Sequence, residues 1–171
     1  MGGLGKSMRF VAVTFIIGTM ALTGLPITNG FFSKELVLES GLSHGPAWAY
    51  AGMLIGVAIT GFYSIRMLTL VFFDPPAAEK QPHPAGLAMR TSLAILAVGS
   101  LLSWLLAGPF SKMLADSLPY HDLEAETTLD IVVEVVSQPA TWITLAIVAA
   151  GIGLWYVRGR LMGVSRVLSP I

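Results

Sequence analysis

The run Gly30-Phe31-Phe32-Ser33-Lys34-Glu35-Leu36-Val37-Leu38 sets a lysine and a glutamate side by side in apolar surroundings. An amine kept from water can take up and release a proton as a nearby charge moves, which a guanidinium cannot do. Adjacent helical positions do not face one another, so Lys34 and Glu35 each need a partner on another helix, or water. Glu39 stands one turn beyond Glu35 on the same face. The residues alone leave two readings of Lys34 open. It is a boundary lysine whose long stem carries the ammonium to the outer interface, or it is a buried group that titrates. Against the first reading, apolar Leu36, Val37 and Leu38 continue beyond it.

Ahead of this pair, Gly24-Leu25-Pro26 interrupts a helical pattern, and Asn29-Gly30 loosens the same region. Proline removes a backbone donor and clashes with the carbonyl four residues back. The segment 10–40 is too long for one straight span, at about 45 Å of helix. Two forms are open here as well. One is an ordinary proline kink; the other is a discontinuous helix whose freed carbonyls and amides line a polar cavity.

The elements that carry these residues are set by composition. Of 171 residues, 54% are apolar and 12% are charged, and mean hydropathy is +0.75. A water-soluble domain carries about 25% charged residues, so this chain cannot cover a globule with polar side chains. The stretches 10–33, 40–65, 91–111 and 135–157 contain no Asp, Glu, Lys or Arg, and each is long enough to cross a hydrocarbon core of about 30 Å. The expected fold is an all-α integral membrane protein in a single membrane domain, with about four transmembrane helices, the first broken at Gly24-Leu25-Pro26. Expected spans are about 10–40, 47–72, 91–110 and 138–158. The connection 74–84 is proline-rich and not helical. An acidic segment, 112–137, joins the last two spans; within it 123–136 reads as an interfacial helix or a strand, because its β-branched content leaves both open.

Charge sets the topology. With residues 1–9 in the cytoplasm, the inner pieces carry Lys6, Arg9, Arg66, Lys80, Arg90, Arg158, Arg160 and Arg166, and the outer side is left with Lys112. That asymmetry predicts both termini on the cytoplasmic side of an inner or cytoplasmic membrane. Net charge is zero and no basic run exists, which argues against nucleic acid as a partner. Without cysteine there is no disulfide, thiol nucleophile or Cys-ligated cluster. His44, His83 and His121 are too scattered for metal-ligand spacing. No catalytic, cofactor or metal site is expected in this chain. One ionisable pair cannot build a relay across a bilayer, so the chain is expected to work within something larger.

At these residues the sequence resembles a known family. Met1-Gly-Gly-Leu-Gly-Lys-Ser-Met, Ile17-Gly-Thr-Met-Ala-Leu-Thr-Gly-Leu-Pro and Gly30-Phe-Phe-Ser-Lys-Glu are similar to the distal antiporter-like subunit of respiratory complex I, NADH:quinone oxidoreductase. Gly61-Phe-Tyr-Ser-Ile-Arg-Met with Phe72-Phe73 is similar to that family's next helix; from 74 onward the likeness rests on hydropathy and the order of spans. The resemblance implies that Lys34 is a proton-channel residue, with Glu35 at the neighbouring acidic position and Gly24, Leu25 and Pro26 at the helix break. It implies proton translocation driven by electron transfer elsewhere, with NADH, flavin, iron–sulfur clusters and quinone held by partner subunits. Other membrane subunits of a complex I-like assembly and the missing half of its own fold would be partners, together with the lipid bilayer. The chain is expected to be a C-terminal-half fragment or split-gene product of such a subunit. Arg9 and Phe10 depart from the family, which usually has a proline after the position of Met8, and so suggest an altered helix start. Related subunits of multisubunit Na⁺/H⁺ antiporters and membrane-bound hydrogenases share the motif logic, and a non-transporting membrane scaffold is the remaining alternative.

Overall fold

A computed structural model describes residues 2–75, 85–117 and 126–167, with 158–167 as backbone only. His83, His121, most of the proline-rich connection and residues 118–125 of the acidic segment lie outside the described residues. Among those described, every regular element is a helix: α1 (Leu4–Ser7), α2 (Arg9–Thr23), α3 (Asn29–His44), α4 (Ala47–Leu68), α5 (Leu87–Leu102), α6 (Ala107–Ser117), α7 (Thr128–Ser137) and α8 (Pro139–Val167). A π turn, Thr69–Phe73, extends α4, and a 3₁₀ turn, Ser103–Leu106, joins α5 to α6. Three helical stretches are long and apolar enough to cross a membrane: Ala47–Phe73, Leu87–Ser117 and Pro139–Val157. The first expected span is two shorter helices, α2 and α3, parted at residues 24–28. The chain folds as an all-α membrane protein. Met8 leaves helical geometry (φ −126°, ψ 57°) between α1 and α2.

Close approach of α4 and α8 forms the centre. A Cβ on Gly61 would lie 3.0 Å from the Val148 carbonyl, and one on Gly151 would collide with the Ala58 carbonyl. Between lipid-immersed helices there is no hydrophobic drive to associate, so small residues that let backbones touch supply the packing. Leu38 of α3 packs against Val57 and Val148 and closes the seam, and Phe62 meets Trp155 edge-on at 5.9 Å. Where α2 begins, Ala12 packs on Leu68 and Phe72, with the Phe15 and Phe72 rings 5.1 Å apart.

Within the acidic segment, Thr128–Ser137 forms a helix rather than a strand. At the start of α7 the Thr127 hydroxyl accepts from the Asp130 amide at 3.3 Å, and the Asp130 carboxyl accepts from the Thr127 amide at 3.1 Å. This reciprocal cap satisfies two donors that a helix start leaves free. Ile131 and Val135 then bury on Phe31 while Val133 and Glu134 stay outside, a helical period that outweighs β-branched propensity. Thr128 clamps the 3₁₀ interruption next door. Its hydroxyl donates to the Leu105 carbonyl at 3.1 Å and accepts from the Gly108 amide at 3.0 Å. Phe32 stacks on Trp104 at 5.3 Å, so the second interruption abuts the helix that comes after the first.

This packing makes two outcomes testable. Gly151→Leu pushes α8 off α4 and costs roughly 1–3 kcal/mol, the usual penalty for overpacking, whereas Gly52→Ala, with open space around it, is neutral; unfolding by denaturing detergent measures both. The Thr127 hydroxyl and amide hold the Asp130 carboxyl below its usual range. The cap's contribution is therefore complete at neutral pH and fades as pH falls through that depressed value. Amide shifts of Thr127 and Asp130 in micelles should move together on acidification, and Asp130→Asn should abolish that titration.

Candidate functional site

The break in the first span has a defined construction. Gly24 takes the left-handed conformation (φ 74°) at the end of α2, which costs glycine little and other residues more. Its amide donates to the Ala21 carbonyl at 3.2 Å, and the Leu25 amide donates to the Met20 carbonyl at 3.0 Å. This paired closure uses two of the last four carbonyls of the helix. Pro26 contributes no donor. Ile27 then turns the chain at φ 80°, an uncommon and strained conformation for a β-branched residue. Thr28 is fully buried, its hydroxyl donating to the Leu25 carbonyl at 2.7 Å. A Cβ on Gly30 would collide with the Ala21 carbonyl, so the first turn of α3 rests against the last turn of α2.

Lys34 reaches back into this break. Its Nζ donates to the Thr23 carbonyl at 3.1 Å, and Thr23 is itself buried. The last carbonyls of a helix carry its partial negative charge, so an ammonium is stabilised there twice, by hydrogen bond and by dipole. The lysine stem passes over Gly24, where a Cβ would stand 2.9 Å from Cδ. Of the residues named from the sequence, Gly24 and Lys34 are thus in contact. Leu25 ties its amide into the helix end, while Pro26 faces outward.

Glu35 faces elsewhere. It is buried, with 3% of its surface exposed, beside the Thr141 and Thr144 hydroxyls of α8. Those hydroxyls already donate to backbone, Thr141 to the Val135 carbonyl and Thr144 to the Ala140 carbonyl. Glu35 Oε1 has no hydrogen-bond partner among the described residues. One turn on, Glu39 accepts from the Gln138 side-chain amide. The Gln138, Thr141, Thr144 stripe beside Glu39 and Glu35 is a feature that sequence reasoning misses; its spacing of three is the one signal that could have found it. Among the described residues no three His, Asp or Glu side chains gather where they could hold a metal ion.

Known proteins bear on this geometry. Residues 1–62 match the family model described as NADH:quinone oxidoreductase/Mrp antiporter, TM. The chain is 31% identical over 129 residues to NADH-quinone oxidoreductase subunit L of Campylobacter jejuni, covering 75% of this chain and 22% of the relative. It is 37% identical over 111 residues to NADH-ubiquinone oxidoreductase chain 5 of Rhinoceros unicornis, covering 60% and 18%. It is 43% identical over 77 residues to chain 5 of Sus scrofa, covering 44% and 13%. An alignment of 129 residues must run past residue 73, so the likeness extends further than the motifs quoted from the first two spans. The chain spans about a fifth of the length of the first two of these curated relatives. The residues that hold the broken helix and its lysine thus lie within the stretch that matches the transmembrane model of the NADH:quinone oxidoreductase/Mrp antiporter family, in a chain similar to subunit L and chain 5.

Proposed function

We propose that this chain is part of a proton-translocating membrane subunit of a complex I-like NADH:quinone oxidoreductase, with Lys34 as its proton carrier. The observation that supports it most is the Lys34 Nζ on the Thr23 carbonyl at a helix break. A charged Lys34 is held by the carbonyl and by the negative end of α2. A charge shift in a neighbouring helix or subunit changes the balance, and Lys34 releases its proton toward the outer side. The neutral amine keeps a weaker bond to the same carbonyl, so the group need not travel to be reloaded. Glu35, buried and with Oε1 free of a hydrogen-bond partner among the described residues, is the next acceptor along α3.

Electron transfer belongs to partner subunits, where NADH, flavin, iron–sulfur clusters and quinone would sit; other membrane subunits and further helices of the same fold complete the path. The proposed setting is an inner or cytoplasmic membrane with both termini on the cytoplasmic side. A second reading, a subunit of a multisubunit Na⁺/H⁺ antiporter, draws on the family description, which names both kinds of complex. Na⁺-dependent proton movement in the absence of NADH would favour it.

Three substitutions test the carrier, in the assembled complex reconstituted in vesicles with a pH-sensitive dye. Lys34→Ala should leave assembly intact and cut transport to roughly a hundredth or less, the scale of removing a positioned proton-transfer group; normal pumping would overturn the proposal. Lys34→Arg still reaches the Thr23 carbonyl but does not give up its proton, so transport should fall as far while stability holds. A purely structural lysine would tolerate that change. Gly24→Ala strains the left-handed position by about 1–2 kcal/mol and crowds the lysine stem, lowering both stability and transport.

A further inference from the structure

We propose that the cleft between the first turns of α2 and α5 binds the phosphodiester headgroup of an anionic phospholipid. The cleft has a volume of about 290 Å³ and is lined by Lys6, Ser7, Arg9, Phe10 and Arg90 among others. It holds three cations, and among the described residues no carboxylate forms an ion pair with any of them. Arg90 is set in place: its guanidinium carbon lies 5.3 Å from the centroid of the Phe10 ring. A stacked guanidinium keeps its edge donors free, and that edge matches a phosphate.

Backbone adds to the field. α2 and α5 both start at this cleft, and neither start is capped by a side chain. Fifteen- and sixteen-residue helices thus direct free amides and two positive dipole ends toward the three side-chain charges. The rim favours a lipid over a free anion. Leu87 is 79% exposed and Met89 54%, giving acyl chains an apolar wall directly beside the charged cleft. Basic pockets between helices at a membrane surface hold anionic headgroups on the same grounds. This site lies apart from Lys34 and does not depend on its role.

The test uses the whole chain in mild detergent, titrated with phosphatidylglycerol and read by native mass spectrometry. One phosphatidylglycerol should be retained, with phosphatidylcholine retained far less. Arg9→Gln and Arg90→Gln should each weaken retention roughly fivefold, and the pair roughly thirtyfold, as expected for loss of one and two interfacial cations. Arg66→Gln, an exposed cation on α4 outside the cleft, should change nothing. Circular dichroism checks that each variant keeps its helices; if the double variant loses them, the single variants decide. Equal retention of phosphatidylcholine would overturn the proposal. So would an equal loss in Arg66→Gln, which would mark general surface charge. Displacement by millimolar inorganic phosphate would assign the cleft to a free anion and overturn the lipid.

Discussion

A helix that stops within an apolar stretch leaves carbonyls in need of partners, and the residues around the break after α2 answer that constraint. Gly24 and Leu25 fold their amides back onto Ala21 and Met20, and Thr28 covers the Leu25 carbonyl. The Thr23 carbonyl falls to Lys34. An unsatisfied backbone group in hydrocarbon costs several kcal/mol, so the lysine does more than tolerate burial. Charge and backbone solve one another's problem, and the bond between them joins α2 to α3 across a gap in the helix.

The same logic recurs where α5 gives way to α6. There the 3₁₀ turn disturbs the hydrogen-bond ladder, and one hydroxyl, that of Thr128, bridges a freed acceptor and a freed donor. The two interruptions differ in the group that heals them. An uncharged threonine closes the second and can only hold it shut. An amine closes the first, and an amine can change its charge without leaving its place, which is why the proton carrier is proposed there.

Much of this was legible in the residues. Composition and charge-free stretches imposed a helical membrane protein, and Gly24-Leu25-Pro26 marked a break, because a proline has no amide and a glycine no Cβ. The pattern could not choose between kink and discontinuity. That choice rests on the left-handed Gly24, on the positive φ of Ile27 and on contact between Gly30 and Ala21, which are tertiary facts. Lys34 was visible as a charge in an apolar run, but its partner is a carbonyl, and a carbonyl has no letter in a sequence. Thr141 and Thr144 were hidden differently. Threonine is common in membrane helices, and only the fold sets these two against Glu35. For 128–136 the β-branched residues obscured a helix whose capping pair, Thr127 and Asp130, stood in the sequence throughout.

The π turn at Thr69–Phe73 departs from the regular ladder of the helix that it extends. The buried positions Gly61, Ser64, Leu68 and Phe72 nevertheless fall at intervals of three and four, so one face runs unbroken from the seam with α8 to Ala12 and the Phe15 ring. Adding or removing a residue between Gly61 and Phe72 would turn one end of that face away from its neighbour. This end of α4 can therefore absorb many exchanges of side chain, yet its number of residues is not free to drift.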